Sequence, residues 1–163
     1  MAHVFVGLGS NLGDKKENLS SARQHISMLP GTIILKTSSI IETEPWGNHN
    51  QPVYYNSVLL LDTNYDPVIL LSELLNIEYL MGRRRDIKWG PRIIDLDILS
   101  YENVLLKTDD LILPHPYLEE RSFVLYPILE ICPEWIHPET KKTIIELVKS
   151  FYPPKIICKP EDW

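Results

Sequence analysis

The chain has 163 residues, 44% of them hydrophobic, enough for one compact domain with a real core and too few for a second. Its 16 basic and 22 acidic residues give a formal net charge of −6, which argues against broad binding to nucleic acid or to an anionic membrane. Two cysteines, Cys132 and Cys158, lack metal-ligand spacing and read as reduced thiols of a cytoplasmic protein. The chain enters a strand pattern directly from Met1, so no signal peptide is expected, and no apolar run approaches the roughly 18 residues of a membrane span.

His3–Leu8 is a β-rich run expected to stop at Gly9-Ser10-Asn11. Asp14 then stands as a helix N-cap with Glu17 three residues on, and Leu19, Ala22, Ile26 and Leu29 repeat at helical spacing until Pro30-Gly31. Thr32–Thr43, rich in Thr and Ile, reads as one strand, and Tyr55–Asp62 as another after a loop carrying Pro45, Gly47 and Pro52. Asp66-Pro67 opens a second helix, whose inner face is expected to carry Val68, Leu71, Leu74 and Leu75, and Gly82 closes it. Ile93–Tyr101 is the next strand.

The order β-α-β-β-α-β predicts an α+β fold: a ferredoxin-like core over residues 1–101, with two helices on one face of an antiparallel sheet. Residues 102–163 hold eight of the 13 prolines. They are expected to form short helices and irregular connections packed on that core, with one helix near Thr140–Lys149. Residues 1–163 are thus read as a single domain.

The sharpest chemical feature is Asp95-Leu96-Asp97. In a strand, alternate side chains share a face, so the two carboxylates lie about 7 Å apart while Leu96 and Ile98 point to the core. Magnesium favours such a pair together with phosphate oxygens and waters; a solvated acidic edge strand fits the same residues. Upstream, Arg83, Arg84, Arg85, Lys88 and Arg92 gather five cations within ten positions. In an acidic protein that is a local anion site, and guanidinium groups match phosphate in bidentate geometry. Glu78 falls on the apolar stripe of the second helix, where a carboxylate needs an arginine, a ligand or a route to solvent.

Gly7-Leu8-Gly9-Ser10-Asn11-Leu12-Gly13-Asp14 matches neither a P-loop, since Asp14 stands where lysine is required, nor a dinucleotide fingerprint, which fails at Leu12. It is read as a tight turn whose polar residues line a site. Tyr54, Tyr55 and Asn56 could sandwich a flat ring and read its edge, with Trp89 and Phe123 as further faces, although any one of Tyr54, Tyr55 and Phe123 taken singly fits a core better. His115, between Pro114 and Pro116, could touch phosphate or serve structure alone. The segments Glu44–Val53 and Gly82–Pro91 lack apolar periodicity and are expected to be mobile lids, with Arg83 and Arg85 exposed.

Taken together, Gly9-Ser10-Asn11-Leu12, Thr43 through Gly47, Gln51-Pro52 with Tyr54 and Asn56, Trp89-Gly90-Pro91-Arg92, Asp95-Leu96-Asp97, and Pro114-His115 with Arg121 and Phe123 resemble the 6-hydroxymethyl-7,8-dihydropterin pyrophosphokinases of folate biosynthesis. The run Trp89–Ile98 is the most specific part. The resemblance implies transfer of the β,γ-pyrophosphoryl group of ATP to the pterin hydroxymethyl oxygen, giving AMP, with two magnesium ions on Asp95 and Asp97. It implies catalytic roles for Arg83, Arg92, Asp95 and Asp97. Thr43, Pro45, Trp46, Tyr54, Asn56, Asp95 and Phe123 would contact the pterin. Glu78, Arg85, Lys88, Trp89, Arg92, Ile98, His115 and Arg121 would serve ATP. Its partners would be these small molecules alone, and the chain would work as a monomer. Trp46, Asn50, Asp110 and Ile112 depart from common family residues, and the segment between Arg85 and Trp89 is one residue short. Another ATP-dependent kinase, which would release ADP, and a non-catalytic ligand-sensing domain are the rival readings.

Overall fold

The structure, a computed structural model, describes residues 1–45, 50–83 and 91–163. Its centre is an antiparallel sheet. Strand β1 (Ala2–Ser10) lies between β5 (Asp95–Tyr101) and β4 (Tyr54–Thr63), and β3 (Ile40–Thr43) and β8 (Lys155–Cys158) follow outward, giving the order β5-β1-β4-β3-β8. Strand β2 (Thr32–Thr37) also pairs with β4. A small hairpin, β6 (Leu106–Lys107) with β7 (Ile112–Leu113), forms a second sheet packed against β5.

Helices cover both faces of the sheet. Helix α1 (Lys15–Ser27) starts on the expected cap, the Glu17 N–H donating to Asp14 Oδ1 at 3.1 Å, and buries Leu19, Ala22 and Ile26. Helix α2 (Pro67–Leu80) begins at Pro67 and ends before Gly82, whose φ of +92° suits glycine. With Val4, Val6, Leu8, Leu96 and Ile98 these two helices build one core layer. On the opposite face, α3 (Ser122–Ile131) and α4 (Ile144–Val148) pack on Phe5, Val58, Leu60 and Leu99.

Four expectations are corrected. First, β1 runs on through Ser10, so Gly7-Leu8-Gly9-Ser10 is strand and not turn. Second, Thr32–Thr43 breaks at Ser38-Ser39, which are buried. Ser38 Oγ shares a hydrogen bond with Ser57 Oγ (2.8 Å) and accepts from the Val58 N–H (2.8 Å), while the Ser39 N–H donates to Glu130, 91 residues away. Those side chains satisfy the backbone where the ladder is interrupted and turn β3 toward β8.

Third, α2 buries Leu70, Leu74, Ile77 and Glu78, leaving Val68 and Leu75 exposed. Its apolar residues surround almost the whole helix, so spacing alone leaves the phase open. Fourth, the extension contains a ten-residue helix, α3, with Pro127 inside it. The proline cost is offset by packing of Val124, Leu125, Ile128 and Ile131 on the sheet. The helix expected at Thr140–Lys149 shrinks to α4, opened by a capping box of Thr143 and Glu146.

Candidate active site

The site grows from the register of three strands. Gly9 of β1 stands between Asp95 of β5 and Asn56 of β4, and Gly7 between Asp97 and Val58. All these residues share the face opposite α1 and α2, because Leu96 and Ile98 fill the other side. The two glycines leave a depression flanked by carboxylates on one side and an amide on the other. A Cβ at Gly9 would meet Asn56 Oδ1 at 2.8 Å, too close to tolerate, so only glycine keeps that amide in place. Asn56 Nδ2 donates to Thr43 Oγ1 at 2.6 Å, which fixes which end of the amide faces the depression. Tyr54, Glu44 and Phe123 complete the walls of a slot. Burial pushes the Tyr54 phenol pKa up, with Asp95 adding to it, so the hydroxyl keeps its proton and can donate.

A second, wider cleft opens beyond β5, an edge strand of the sheet. Val68, Leu71 and Leu75 of α2 form its apolar wall, and Asp109, Asp110 and His115 lie across from them. Arg92, Asp95, Asp97 and Arg121 line both slot and cleft. The two cavities therefore meet at two guanidiniums and two carboxylates.

These charges are paired. Arg83 Nη1 bonds Glu78 Oε2 and sits 3.1 Å from Asp95 Oδ1. Arg92 Nη1 is 3.3 Å from Asp95 Oδ2, and Arg121 Nη1 is 3.9 Å from Asp97 Oδ2. Arg83 is not the exposed lid residue expected from sequence: its side chain is 8% accessible. Glu78, 2% exposed, accepts from the Leu96 N–H at 2.7 Å as well as from Arg83. Burial raises its pKa, and those two donors work against the rise. A buried carboxylate held by an arginine and a backbone amide ties α2 to the strand that carries the aspartates.

Burial and the neighbouring Asp95 push the Asp97 carboxyl from 3.8 up to about 7. As 38% of its side chain opens on the cleft, solvent screens part of this effect, and its direction carries the meaning. Two carboxylates on one face resist ionising together, so a cation would be welcome there. Among the described residues no three His, Cys, Asp or Glu side chains converge as a metal cage. Two carboxylates and no more suit magnesium, which keeps waters and takes phosphate oxygens. His115 is pulled down to about 4, first by burial and then by Arg121. Its Nδ1 accepts from the Tyr117 N–H at 3.1 Å, so the neutral ring carries its proton on Nε2, free to donate.

Of the residues expected from sequence, Thr43, Tyr54, Asn56, Asp95, Phe123 and the two shared arginines meet at the slot, and Glu78, Arg83 and His115 at the cleft. Pro45 is buried beside Thr43. The Ile98 side chain lies in the core, which leaves its main chain for any ligand. The Leu96 N–H points off the open edge of β5 toward Glu78, and by alternation the Ile98 N–H and C=O face that same edge. Trp46, Arg85, Lys88 and Trp89 fall outside the described residues, as do residues 46–49 of the first expected lid and 84–90 of the second. Sequence reasoning missed the slot floor at Gly7 and Gly9 and the buried Asn11. The floor had a signal, since glycines at alternate positions of a strand mark close approach.

Three comparisons bear on this geometry. The family model described as 7,8-dihydro-6-hydroxymethylpterin-pyrophosphokinase matches residues 5–133. A relative from Haemophilus influenzae, named 2-amino-4-hydroxy-6-hydroxymethyldihydropteridine pyrophosphokinase, is 40% identical over 157 residues, covering 96% of this chain and 98% of its own. Its namesake from Methylorubrum extorquens is 40% identical over 136 residues, covering 83% and 86%. The solved Plasmodium falciparum HPPK-DHPS with pteroate has the same fold, with a TM-score of 0.71 at 16% identity over 91% of this chain and 42% of that one. This chain thus spans less than half of that solved chain. The matched stretch contains both cavities' shared aspartates and arginines, and with it the chain belongs to the 7,8-dihydro-6-hydroxymethylpterin-pyrophosphokinase family.

Proposed function

We propose that Asp95, Asp97, Arg92 and Arg121 form the junction across which this enzyme passes a pyrophosphoryl group from one substrate to the other. The chain is an ATP-dependent pyrophosphokinase of folate biosynthesis. It moves the terminal pyrophosphoryl group of ATP to the hydroxymethyl oxygen of 6-hydroxymethyl-7,8-dihydropterin, giving AMP and the pterin diphosphate. One observation carries the residue assignment: among the described residues, a slot for a flat ring and a wider cleft share these four charged side chains and no others.

The slot takes the pterin. Asn56 presents its amide to the ring edge, Tyr54 and Phe123 present faces, and Thr43 and Pro45 hold the rim. The cleft takes ATP, with the apolar side of α2 against the base and the Ile98 main chain offering one donor and one acceptor to the base edge. Arg92 and Arg121 hold phosphate oxygens, and His115 donates from Nε2. Arg83 positions Asp95, anchored in turn by Glu78. Trp46, Arg85, Lys88 and Trp89 join the site on the strength of the family resemblance.

Magnesium, two ions on this reading, would be held by Asp95 and Asp97 and would supply neutralisation of phosphate charge. Phosphoryl-type transfer needs alignment and charge stabilisation more than covalent chemistry, and three guanidiniums around the junction supply both. Asp97, Asp95 or solvent could accept the hydroxyl proton.

Residues 1–101, as a ferredoxin-like βαββαβ core, and the 102–163 extension act as one domain on this reading. The extension supplies Arg121, Phe123 and His115 to the site. We infer a cytoplasmic monomer that binds no nucleic acid. No described helix is long and apolar enough to cross a membrane, and the charge of −6 disfavours polyanions. Incubation with magnesium, ATP and 6-hydroxymethyl-7,8-dihydropterin tests the reaction. AMP and pterin diphosphate should accumulate in equal amounts; ADP with a pterin monophosphate would overturn it.

A further inference from the structure

Asn11 follows the last residue of β1 and is 1% exposed, yet it lines neither the slot nor the cleft. A buried side-chain amide must find partners for its oxygen and both N–H groups. The Asn11 oxygen Oδ1 accepts from the Arg92 N–H at 2.8 Å, and the Asn11 main-chain N–H donates to the Arg92 carbonyl at 3.1 Å. The main chain of Arg92 is thereby held at both of its polar groups. The other end of the amide, Nδ2, donates to Gln51 Oε1 at 3.0 Å and to the Pro52 carbonyl at 3.2 Å.

These contacts reach opposite halves of the site. Arg92 reaches Asp95 and lines both cavities. Gln51-Pro52 runs through Val53, whose carbonyl accepts from Lys15 Nζ at 3.1 Å, directly into Tyr54 on the slot wall. The amide is planar and rigid, so a shift of Arg92 cannot leave the Pro52 bond unchanged unless one of the hydrogen bonds breaks.

We propose that Asn11 is a positioning residue that couples the two substrate sites: nucleotide phosphate engaging Arg92 sets the 51–54 segment, and so the slot, through the Asn11 amide. This rests on the assignment of slot and cleft made above. Such a coupling is reciprocal, each ligand strengthening the other by the same factor.

The test is the pterin dissociation constant measured with and without saturating magnesium and a non-hydrolysable ATP analogue, in the whole chain. The wild-type ratio should be at least about tenfold. Asn11→Asp keeps the oxygen for the Arg92 N–H but turns an acceptor toward Gln51 Oε1 and the Pro52 carbonyl. Its ratio should fall to within about twofold of unity while analogue affinity stays within about threefold, and pterin KM at saturating ATP should rise about tenfold. Gln51→Ala, which spares the Pro52 bond, should lie between and carries the test alone if the aspartate variant does not fold. Loss of binding for both ligands in proportion, with the ratio intact, would reduce Asn11 to a structural role and overturn the proposal. A wild-type ratio of one, in a protein that does release AMP, would overturn it as well and leave the function standing. A wild type that releases no AMP would sink both.

Discussion

The slot and the cleft share four side chains but are built by different means. The slot is set into the sheet itself. Its floor is two glycines of β1, and Asn56, the proposed ring-edge reader, is fixed by β4 and by a hydrogen bond to Thr43 of β3. The cleft lies off the sheet's open edge, between the apolar outer side of α2 and the 109–121 segment. Strand register holds the slot to the spacing of neighbouring backbones, which suits a rigid flat ring and one set of hydrogen bonds. The cleft depends on side-chain surface and on one strand edge, which suits a longer, more flexible ligand held chiefly through its charges.

The strongest way to break this comparison is to remove what the two regions share. Asp95→Ala or Asp97→Ala should lower turnover by at least about a hundredfold, because on the proposed reading each would remove a ligand for magnesium. Both variants should fold, as seen by circular dichroism, since like charges are relieved. Near-normal AMP production at ordinary magnesium would remove the junction from the mechanism.

Arg83→Ala acts on the cleft side and should show in stability as much as in rate. It strands the Glu78 carboxylate, 2% exposed, inside the fold. Breaking a buried pair in this way costs about 3–5 kcal/mol, readable by urea denaturation. Glu78→Gln in the same background should recover part of that loss. A surface-like cost under about 0.5 kcal/mol would mean that Arg83 is the mobile lid residue suggested by sequence.

Asn56→Ala tests the slot. It should weaken pterin binding by about 1–3 kcal/mol and leave the affinity of an ATP analogue unchanged in calorimetric titration. Equal losses for both ligands would erase the distinction between the two regions.

A smaller effect follows from Asp97, whose folded pKa is raised from 3.8 to about 7. Between those values the folded, ligand-free protein keeps a proton that the unfolded chain has released. The contribution is therefore present at low pH and lost as pH rises through 7. Asp97→Asn removes it, so the variant's Tm advantage over wild type should widen by a few degrees between pH 4 and 7.5. His115 shifts the other way, but it is common to both proteins and cancels. A constant gap would mean that Asp97 is solvated like a surface carboxylate.

The smallest effect belongs to the cleft wall. Leu75→Ser should weaken the ATP analogue about two- to fivefold and change stability by less than about 0.5 kcal/mol, because Leu75 is 39% exposed. Unfolding on this substitution would restore Leu75 to the core face assigned by its spacing.

Much of the site is written in local order. The alternation Asp95-Leu96-Asp97 needs only the two-residue period of a strand to put both carboxylates on one face, and the structure does so. Asp14, Pro67 and Gly82 mark helix ends through chemistry that lies within a few residues of each. The family resemblance likewise comes from short runs, Trp89–Ile98 above all, and the comparisons uphold it.

Tertiary structure decided what depends on distant partners. The phase of α2 was open because its apolar residues nearly encircle it, and packing against β5 and α1 selected Leu70, Leu74 and Ile77. Arg83 looked exposed in a charged run until Glu78 and Asp95 closed on it. The Ser38-Ser39 break waits on Glu130, and α3 overrides Pro127 because its apolar side covers the far face of the sheet. Asn11 gives the sharpest case: its neighbours in sequence mark only a strand end, while its hydrogen bonds reach Gln51 and Arg92, 40 and 81 residues away. Sequence by itself determines what local period and backbone conformation dictate. Which buried polar group finds which partner is settled only when the folded chain brings them together.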